Sequence, residues 1–153
     1  MFLDRTDKAI LRELQQDCSL TNVQLAEKVA LSPPACHKRV QRLLKEEVID
    51  RRVAIINNAK FEPCLHLVVE VMMERDRKDL NAEFIRNVQK APQVKECYQV
   101  TGEVDFVLII TVPDMPTYEG LCNELLYSND NLRSFKTLIS MNRAKYDTQV
   151  DIR

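Results

Sequence analysis

Cationic side chains are concentrated between residues 38 and 52, at Lys38, Arg39, Arg42, Lys45, Arg51 and Arg52. Only Glu46, Glu47 and Asp50 oppose them within that stretch. Ammonium and guanidinium groups bind phosphates, and a guanidinium can also donate two hydrogen bonds to a guanine edge. This chemistry suits a polyanion, provided that the fold presents the charges on one surface.

A second group of polar residues surrounds Gly102, one of two glycines in the chain. A glycine permits a positive φ and lets a ligand approach the backbone. A free amino acid needs N–H donors, an acceptor for its ammonium group and an apolar wall, which predicts effector binding by Tyr98, Val100, Thr101, Gly102, Glu103 and Asp105. The alternative, which stays open, is a plain hairpin turn with solvated acids.

The cations near residue 38 require a helix to position them, and the segment 32–49 has the pattern of one. Ser32 is a favoured N-cap residue and Pro33 suits the first helical position. An apolar stripe runs along Cys36, Val40, Leu43 and Leu44. At about 100° per residue, the opposite face presents Pro34, Lys38, Gln41, Arg42 and Lys45, flanked by His37 and Arg39.

Two further helices are predicted before this one, over residues 3–17 and 21–30. Thr21 and Gln24 form a capping box at the start of the second. A connection of two residues then leads to the third, as in a helix-turn-helix. The predicted DNA-binding residues are Ser32, Pro34, His37, Lys38, Arg39, Gln41, Arg42 and Lys45, with Ser32 acting as cap and phosphate donor. A helical hairpin with a solvated charged face is the alternative.

The rest of the chain predicts a ferredoxin-like β-α-β-β-α-β unit, which makes the fold class α+β. An alternating segment, 51–57, is predicted as a strand that leaves the helical domain and ends at a turn at Asn57 and Asn58. The following elements are strands over 64–73, 94–100, 104–112 and 134–141, with helices over 79–91 and 113–127. The predicted organisation is a helix-turn-helix domain (1–50), a hinge strand and linker (51–62), and an effector-binding and oligomerisation domain (63–153).

Both faces of the predicted sheet are apolar. In the strand 104–112, one face carries Val104, Phe106, Leu108, Ile110 and Val112, and the other includes Val107 and Ile109. Two helices cover only one face, and monomers avoid large exposed apolar patches. We therefore expect a second copy to pack sheet against sheet, and a two-fold axis would present two helix-turn-helix units about 34 Å apart. The alternative is that the N-terminal domain folds over this face.

Composition excludes several other classes of protein. The 153 residues are 45% hydrophobic and 29% charged, with net charge −1. No apolar run could span a membrane, and the charged N-terminus is unlike a secretion signal, so a cytoplasmic location is expected. The five cysteines lack metal-site spacing and are expected to be mostly buried and reduced. No catalytic constellation or cofactor motif is present, so no enzyme, metal or cofactor is predicted.

Three stretches, LDRTDKAILRELQQD, TNVQLAEKVALSPPACHKRVQRL and YQVTGEVDFVLIITVPD, resemble the Lrp/AsnC family of prokaryotic transcription regulators, also called leucine-responsive or feast/famine regulators. The resemblance covers nearly the whole chain. It implies operator binding through the helix opened by Ser32, and dimerisation through the sheets, commonly with four dimers in an octameric ring. It also implies amino-acid binding between C-terminal domains near the loop Thr101–Asp105, which shifts assembly or DNA affinity.

The chain departs from the family pattern around its predicted recognition helix. Ala30 stands where the family often has glycine, at a cost of about 1 kcal/mol if a left-handed angle is needed. Pro34 and Ala35 replace a common Thr-Pro pair, so base preference cannot be transferred. His37 and Lys38 occupy positions that are often apolar or acidic, which makes this face more basic.

These features predict a transcription regulator that binds double-stranded DNA and responds to a free amino acid, leucine or methionine. A homodimer or octamer is expected. An oligomeric amino-acid-binding protein without direct DNA regulation is the alternative, and a small enzyme is a more distant one.

Overall fold

The computed structural model describes residues 3–57, 60–61 and 64–153, and the chain forms two compact units. Unit 1 consists of Met1–Ile56 together with Lys145–Arg153, and unit 2 of Asn57–Ala144. The architecture is α+β, as predicted. Among the described residues, no helix is both long and apolar enough to cross a membrane.

Unit 1 contains three helices: α1 (Arg5–Gln16), α2 (Asn22–Lys28) and α3 (Pro33–Lys45). Their apolar faces meet in one core that includes Ile10, Leu25, Cys36, Val40 and Leu43. The predicted capping box of α2 is present: Gln24 N–H donates to Thr21 Oγ1 (3.3 Å), and Thr21 N–H donates to Gln24 Oε1 (2.9 Å). The three-helix prediction is therefore confirmed.

The turn between α2 and α3 is a Schellman motif, in which the residue after the cap adopts a left-handed conformation. Ala30 occupies that position with φ +54°. Leu31 N–H donates to Ala26 O (2.9 Å) and Ala30 N–H to Glu27 O (3.3 Å), which satisfies the last carbonyls of α2. α3 ends with the same motif, where Glu47 has φ +55°. The tight turn thus requires a conformation that glycine adopts more easily than alanine.

The C-terminal segment of the chain packs on α1. The Gln15 amide exchanges two hydrogen bonds with the backbone of Val150, accepting at 2.6 Å and donating at 3.1 Å. Arg12 Nη2 donates to Ile152 O (2.8 Å), and the Ile152 side chain packs against the helical core. The sequence-based boundaries place this segment in the C-terminal domain, whereas the structure groups it with unit 1.

Unit 2 is a four-stranded antiparallel sheet with helices packed on one face. Its elements are β1 (Leu65–Met73), α4 (Lys78–Lys90), β2 (Val94–Gln99), β3 (Phe106–Val112), α5 (Met115–Leu121) and β4 (Leu132–Ile139). The strand order is β2-β3-β1-β4, as a ferredoxin-like fold requires. The helix begun by α5 continues over Cys122–Tyr127 with the wider turns of a π-helix.

Alternate residues of the central strands fill the core of unit 2. Leu67, Val69 and Val71 of β1 are fully buried, and Phe106 and Leu108 of β3 lie beside them. Phe84 of α4 is also fully buried and meets Phe106 with ring centroids 4.9 Å apart. The alternation predicted for this face is confirmed.

The strand predicted over 51–57 does not form. These residues have no regular secondary structure, and Val53, Ile55 and Ile56 are more than half exposed. β-branched alternation favours an extended chain, but a strand also needs a neighbour for its backbone hydrogen bonds, and the described part of this chain supplies none here.

Part of the predicted linker lies outside the described residues. The predicted turn includes Asn57 and Asn58, of which Asn58 is not described. Lys60 N–H donates to Asn57 O (3.1 Å). The predicted boundary between residues 62 and 63 also falls outside the described residues.

Replacing Ala30 with glycine is expected to raise the free energy of unfolding of unit 1 by about 1 kcal/mol, because the left-handed angle costs glycine little. Ala9→Gly is the matched control: it makes the same change inside α1 and should lower stability by about 1 kcal/mol. Urea unfolding followed by circular dichroism measures both. A loss of stability in Ala30→Gly would contradict the strain attributed to this turn.

Candidate nucleic-acid interface and ligand loop

One stripe of α3 faces solvent with unengaged polar side chains. Its exposed members are Pro34, His37, Lys38, Gln41 and Lys45. No hydrogen bond or ion pair engages the last four within the described ranges. We call these five residues the α3 stripe. Its donors and positive charges are free to meet phosphates or base edges.

Two further cations of α3 bind acids of α1 instead. Arg39 Nη1 lies 2.6 Å from Asp4 Oδ2 and 2.9 Å from Asp7 Oδ1, and Arg42 Nη2 lies 2.5 Å from Asp7 Oδ2. The Asp7 side chain is only 1% exposed, so it is a buried carboxylate with two cationic partners. The predicted DNA-binding set therefore divides into free side chains and side chains that brace their own domain.

The first turn of α1 carries both acids in a reciprocal cap. Asp7 N–H donates to Asp4 Oδ1 (2.8 Å), and Asp4 N–H donates to Asp7 Oδ2 (3.2 Å). The hydrogen bond from the Asp7 backbone, followed by that from Arg39, lowers the pKa of Asp4 to about 2. The hydrogen bonds that Arg39 donates to the Asp4 and Asp7 carboxylates raise the pKa of Arg39. Asp4 and Arg39 therefore both stay charged across the physiological pH range.

The start of α3 offers fewer anion-binding groups than the sequence suggested. Ser32 is the N-cap residue of α3, as predicted, with φ −70° and ψ 147°, but its side chain makes no capping hydrogen bond. Pro33 and Pro34 lack N–H groups, which leaves the Ala35 N–H as a free donor in the first turn. Asn22 Nδ2 donates to Pro33 O (2.7 Å), which ties α2 to this turn.

The loop between β2 and β3 has the conformation predicted for its glycine. Gly102 has φ +130°, a region that other residues rarely adopt. Thr101, Gly102 and Glu103 are exposed, and Val100 is half-buried. Their exposure leaves backbone and side-chain groups available to a small ligand.

Asp105 is predicted to bind effector, but in the structure it forms hydrogen bonds within its own chain. Its Oδ2 accepts a hydrogen bond from Met73 N–H (2.7 Å), and its own N–H donates to Val71 O (2.9 Å). Its carbonyl accepts from Val100 N–H (2.9 Å), which closes the base of the loop. This carboxylate holds the loop to β1, so it is only partly available to a ligand.

Tyr98 lies on the sheet face that α4 and α5 do not cover, where its hydroxyl donates to Glu96. The Glu96 carboxylate raises the pKa of Tyr98. We call this surface the open face; it also includes His66, Val68, Glu70, Met72, Val107, Ile109, Thr111, Lys136 and Leu138, according to the strand register. Tyr98 is 52% and Leu138 41% exposed, and the central residues are half-buried.

The cysteines and histidines form no metal site among the described residues. Cys36 and Cys122 are buried, Cys64 and Cys97 are half-buried, and Cys18 is exposed; none is in a disulfide. Cys64 Sγ lies 3.7 Å from His66 Nε2, whose Nδ1 lies 3.1 Å from Thr111 Oγ1.

Comparison with known families accounts for both units. Residues 3–50 match a winged helix-turn-helix DNA-binding family, and residues 66–150 match the Lrp/AsnC ligand-binding domain. The second match alone spans more than half of the chain. The chain belongs to the Lrp/AsnC family. It is a DNA-binding transcription regulator with an amino-acid-binding domain.

Relatives of this Lrp/AsnC protein align over nearly its whole length. An uncharacterised helix-turn-helix regulator of Sinorhizobium fredii is 38% identical, with 99% of this chain and 90% of the relative covered. The leucine-responsive regulatory protein of Escherichia coli is 34% identical, with coverage of 99% and 92%. Because both alignments cover unit 1 and unit 2, they support the family assignment for both units.

Solved structures agree with the fold of the Lrp/AsnC protein. An AsnC family regulator from Agrobacterium tumefaciens superposes with a TM-score of 0.88 at 31% identity, covering 96% of this chain and 95% of that one. A transcriptional regulator from Neisseria meningitidis, solved as a complex with L-methionine, gives a TM-score of 0.88 at 30% identity, with coverage of 97% and 96%.

The role of Asp4 and Asp7 as partners of the arginines was not predicted. The sequence does contain one indication that Asp7 needs a cationic partner: Asp7 lies on the same helical face as Ile10, Leu11 and Leu14. A carboxylate on an apolar face is stable only with a buried or half-buried cation beside it.

Proposed function

We propose that this regulator binds operator DNA through the α3 stripe and that a free amino acid, leucine or methionine, sets its assembly or its DNA affinity. The observation that carries the first part is the set of unengaged side chains along one side of α3. A protein that regulates transcription in a prokaryote acts in the cytoplasm, where the DNA is. No catalytic step or cofactor is part of this function.

Two chemistries within the α3 stripe suit the major groove. Lys38 and Lys45 can bind phosphates or guanine acceptors, and Gln41 can pair with both groups of an adenine edge. Because Arg39 Nη1 contacts two acids of its own domain, we assign Arg39 a bracing role in the free protein. Ser32, with its hydroxyl uncommitted, can donate to a phosphate at the start of the helix.

The amino-acid site is proposed at the exposed loop residues Thr101, Gly102 and Glu103, with Val100 and Tyr98 near it. Backbone N–H groups around Gly102 suit a carboxylate, and Glu103 suits an ammonium group. The relatives named for leucine and solved with L-methionine support an apolar amino acid. Because Asp105 is held by Met73 N–H, we assign it to shaping the loop.

Pairing of two copies through the open face is part of the proposal. Val68, Val107 and Ile109 form the apolar centre of that face, and monomers seldom leave such a patch in water. A two-fold axis brings the same patch of each copy together, and four such dimers can close into an octamer. Two α3 stripes on one dimer would engage successive major grooves.

Lys38→Ala is expected to weaken binding to a DNA fragment from the upstream region of its own gene by about 5- to 150-fold, since one good contact contributes about 1–3 kcal/mol. If the contact is to a phosphate, the slope of log K against log salt loses about 0.9 in magnitude. Lys90→Ala, which removes the same charge from α4, is the control and should bind as the wild type does. Gel-shift titration measures both, and equal affinity of the two variants would contradict the assignment.

Gly102→Ala should weaken amino-acid binding at least tenfold in calorimetric titrations with L-leucine and L-methionine, because alanine does not readily adopt φ +130°. Gly120→Ala is the matched control; an added Cβ meets no atom within 4 Å at either glycine, so crowding is not the cause. The control should bind as the wild type does, and melting curves verify that both remain folded. If Gly102→Ala binds both amino acids as tightly as the wild type does, the loop is not part of the amino-acid site.

Ile109→Asp should shift the sedimenting species at micromolar concentration from dimer or larger to monomer, because it places a charge in the centre of the paired faces. Asn87→Asp adds the same charge to the exposed side of α4 and should leave assembly unchanged. A wild-type protein that sediments as a monomer would refute pairing.

A further inference from the structure

The buried Asp7 carboxylate joins the helical core to the edge of the proposed DNA surface. Its side chain is 1% exposed, and its two oxygens contact the guanidinium groups of Arg39 and Arg42 at 2.9 and 2.5 Å. A buried carboxylate without a cation is strongly unfavourable, so Asp7 keeps these partners while the unit is folded. The inference below rests on the proposed DNA-binding function of α3.

Arg42 is only partly used by this contact. A guanidinium has five N–H donors, and Arg42 directs Nη2 to Asp7 while its side chain remains 42% exposed. Arg39 differs, because one nitrogen serves both Asp4 and Asp7 and its side chain is 30% exposed. Of the two, Arg42 therefore has the greater capacity for a further partner.

The position of Arg42 on α3 places those remaining donors beside the α3 stripe. Arg42 follows Lys38 by four residues, which puts the two on adjacent turns of the same side of the helix. It is about 80° around the helix from Pro34, whereas Arg39 is about 140° away, towards the buried side. A phosphate that meets Lys38 is thus within the region that Arg42 reaches.

We propose that Asp7 is a positioning residue for DNA binding: it fixes the Arg42 guanidinium so that one edge stays on the carboxylate while the other binds a DNA phosphate. A free arginine side chain loses much rotamer freedom when it binds. One already held by a carboxylate loses less, and the planar fork of arginine can bind two anions at once where a lysine ammonium is a point charge.

Asp7→Asn tests this role against simple electrostatics. The variant removes a negative charge from the DNA-binding unit, so charge alone would strengthen binding to DNA. Loss of positioning instead predicts about 3- to 10-fold weaker binding and a salt slope smaller in magnitude by up to about 0.9, for the one phosphate contact. Asparagine is similar in size and keeps an acceptor oxygen for the Asp4 N–H and a guanidinium, and melting curves identify the temperature range in which the variant is folded.

Asp4→Asn is the matched control. It makes the same chemical change in the same turn of α1, but Asp4 contacts Arg39 and not Arg42, and asparagine remains a good N-cap residue. This variant should bind DNA as tightly as the wild type or more tightly. If Asp7→Asn behaves like Asp4→Asn, with an unchanged salt slope, Arg42 only braces the domain and the proposal is overturned.

Arg42→Lys completes a double-mutant cycle. It keeps the charge but cannot bridge Asp7 and a phosphate, so it should weaken binding about as much as Asp7→Asn, and the double variant should lose little more. Additive losses would overturn the proposal. If the wild type does not bind DNA specifically, the proposed function itself is refuted. If the wild type binds DNA and Asp7→Asn binds equally well, only the positioning role of Asp7 is refuted.

Discussion

The ion pairs around Asp7 determine how the cations of α3 are divided between folding and recognition. A carboxylate on the inner side of α1 needs positive partners, and α3 provides Arg39 and Arg42 from the flank nearest to it. The consequence is that α3 is held to α1 by charge as well as by its apolar stripe. Lys38 and Lys45 have no such partner and are left unengaged, so one buried charge fixes which side of α3 is turned towards a partner.

The ends of α3 reinforce that orientation through backbone geometry. Two prolines start the helix and remove N–H groups that would otherwise attract an anion, so the first turn of α3 offers an anion few backbone donors. The left-handed residues Ala30 and Glu47 close the turns on either side of the helix. Neither is glycine, so each turn retains some strain, and the core packing of Cys36 and Leu43 compensates for it.

Much of this fold follows from sequence periodicity, because helices with one apolar face and strands with two alternating faces leave clear patterns. The three helices of unit 1 and the β-α-β-β-α-β order of unit 2 were predictable for that reason. The segment 51–57 was not, since its β-branched residues favour extension but a strand depends on a partner that the pattern cannot reveal. The return of residues Lys145–Arg153 to α1 was also missed, because side-chain to backbone hydrogen bonds such as those of Gln15 leave no periodic signal.

The sequence was enough to assign each candidate site to a helix or a loop. It was not enough to predict which partner each side chain in the site has. Spacing identifies which residues share a face, as it did for Lys38 and Lys45, but it does not tell whether a charged group already has a partner. Arg39 and Asp105 illustrate this: both lie where a ligand is expected, and both bind their own chain. In each case the partner is a group far away in sequence, either the acids of α1 or the Met73 backbone. Such a residue affects a ligand through the groups that it holds in place, and the role proposed for Asp7 is of this kind, because the buried carboxylate would act on DNA through Arg42.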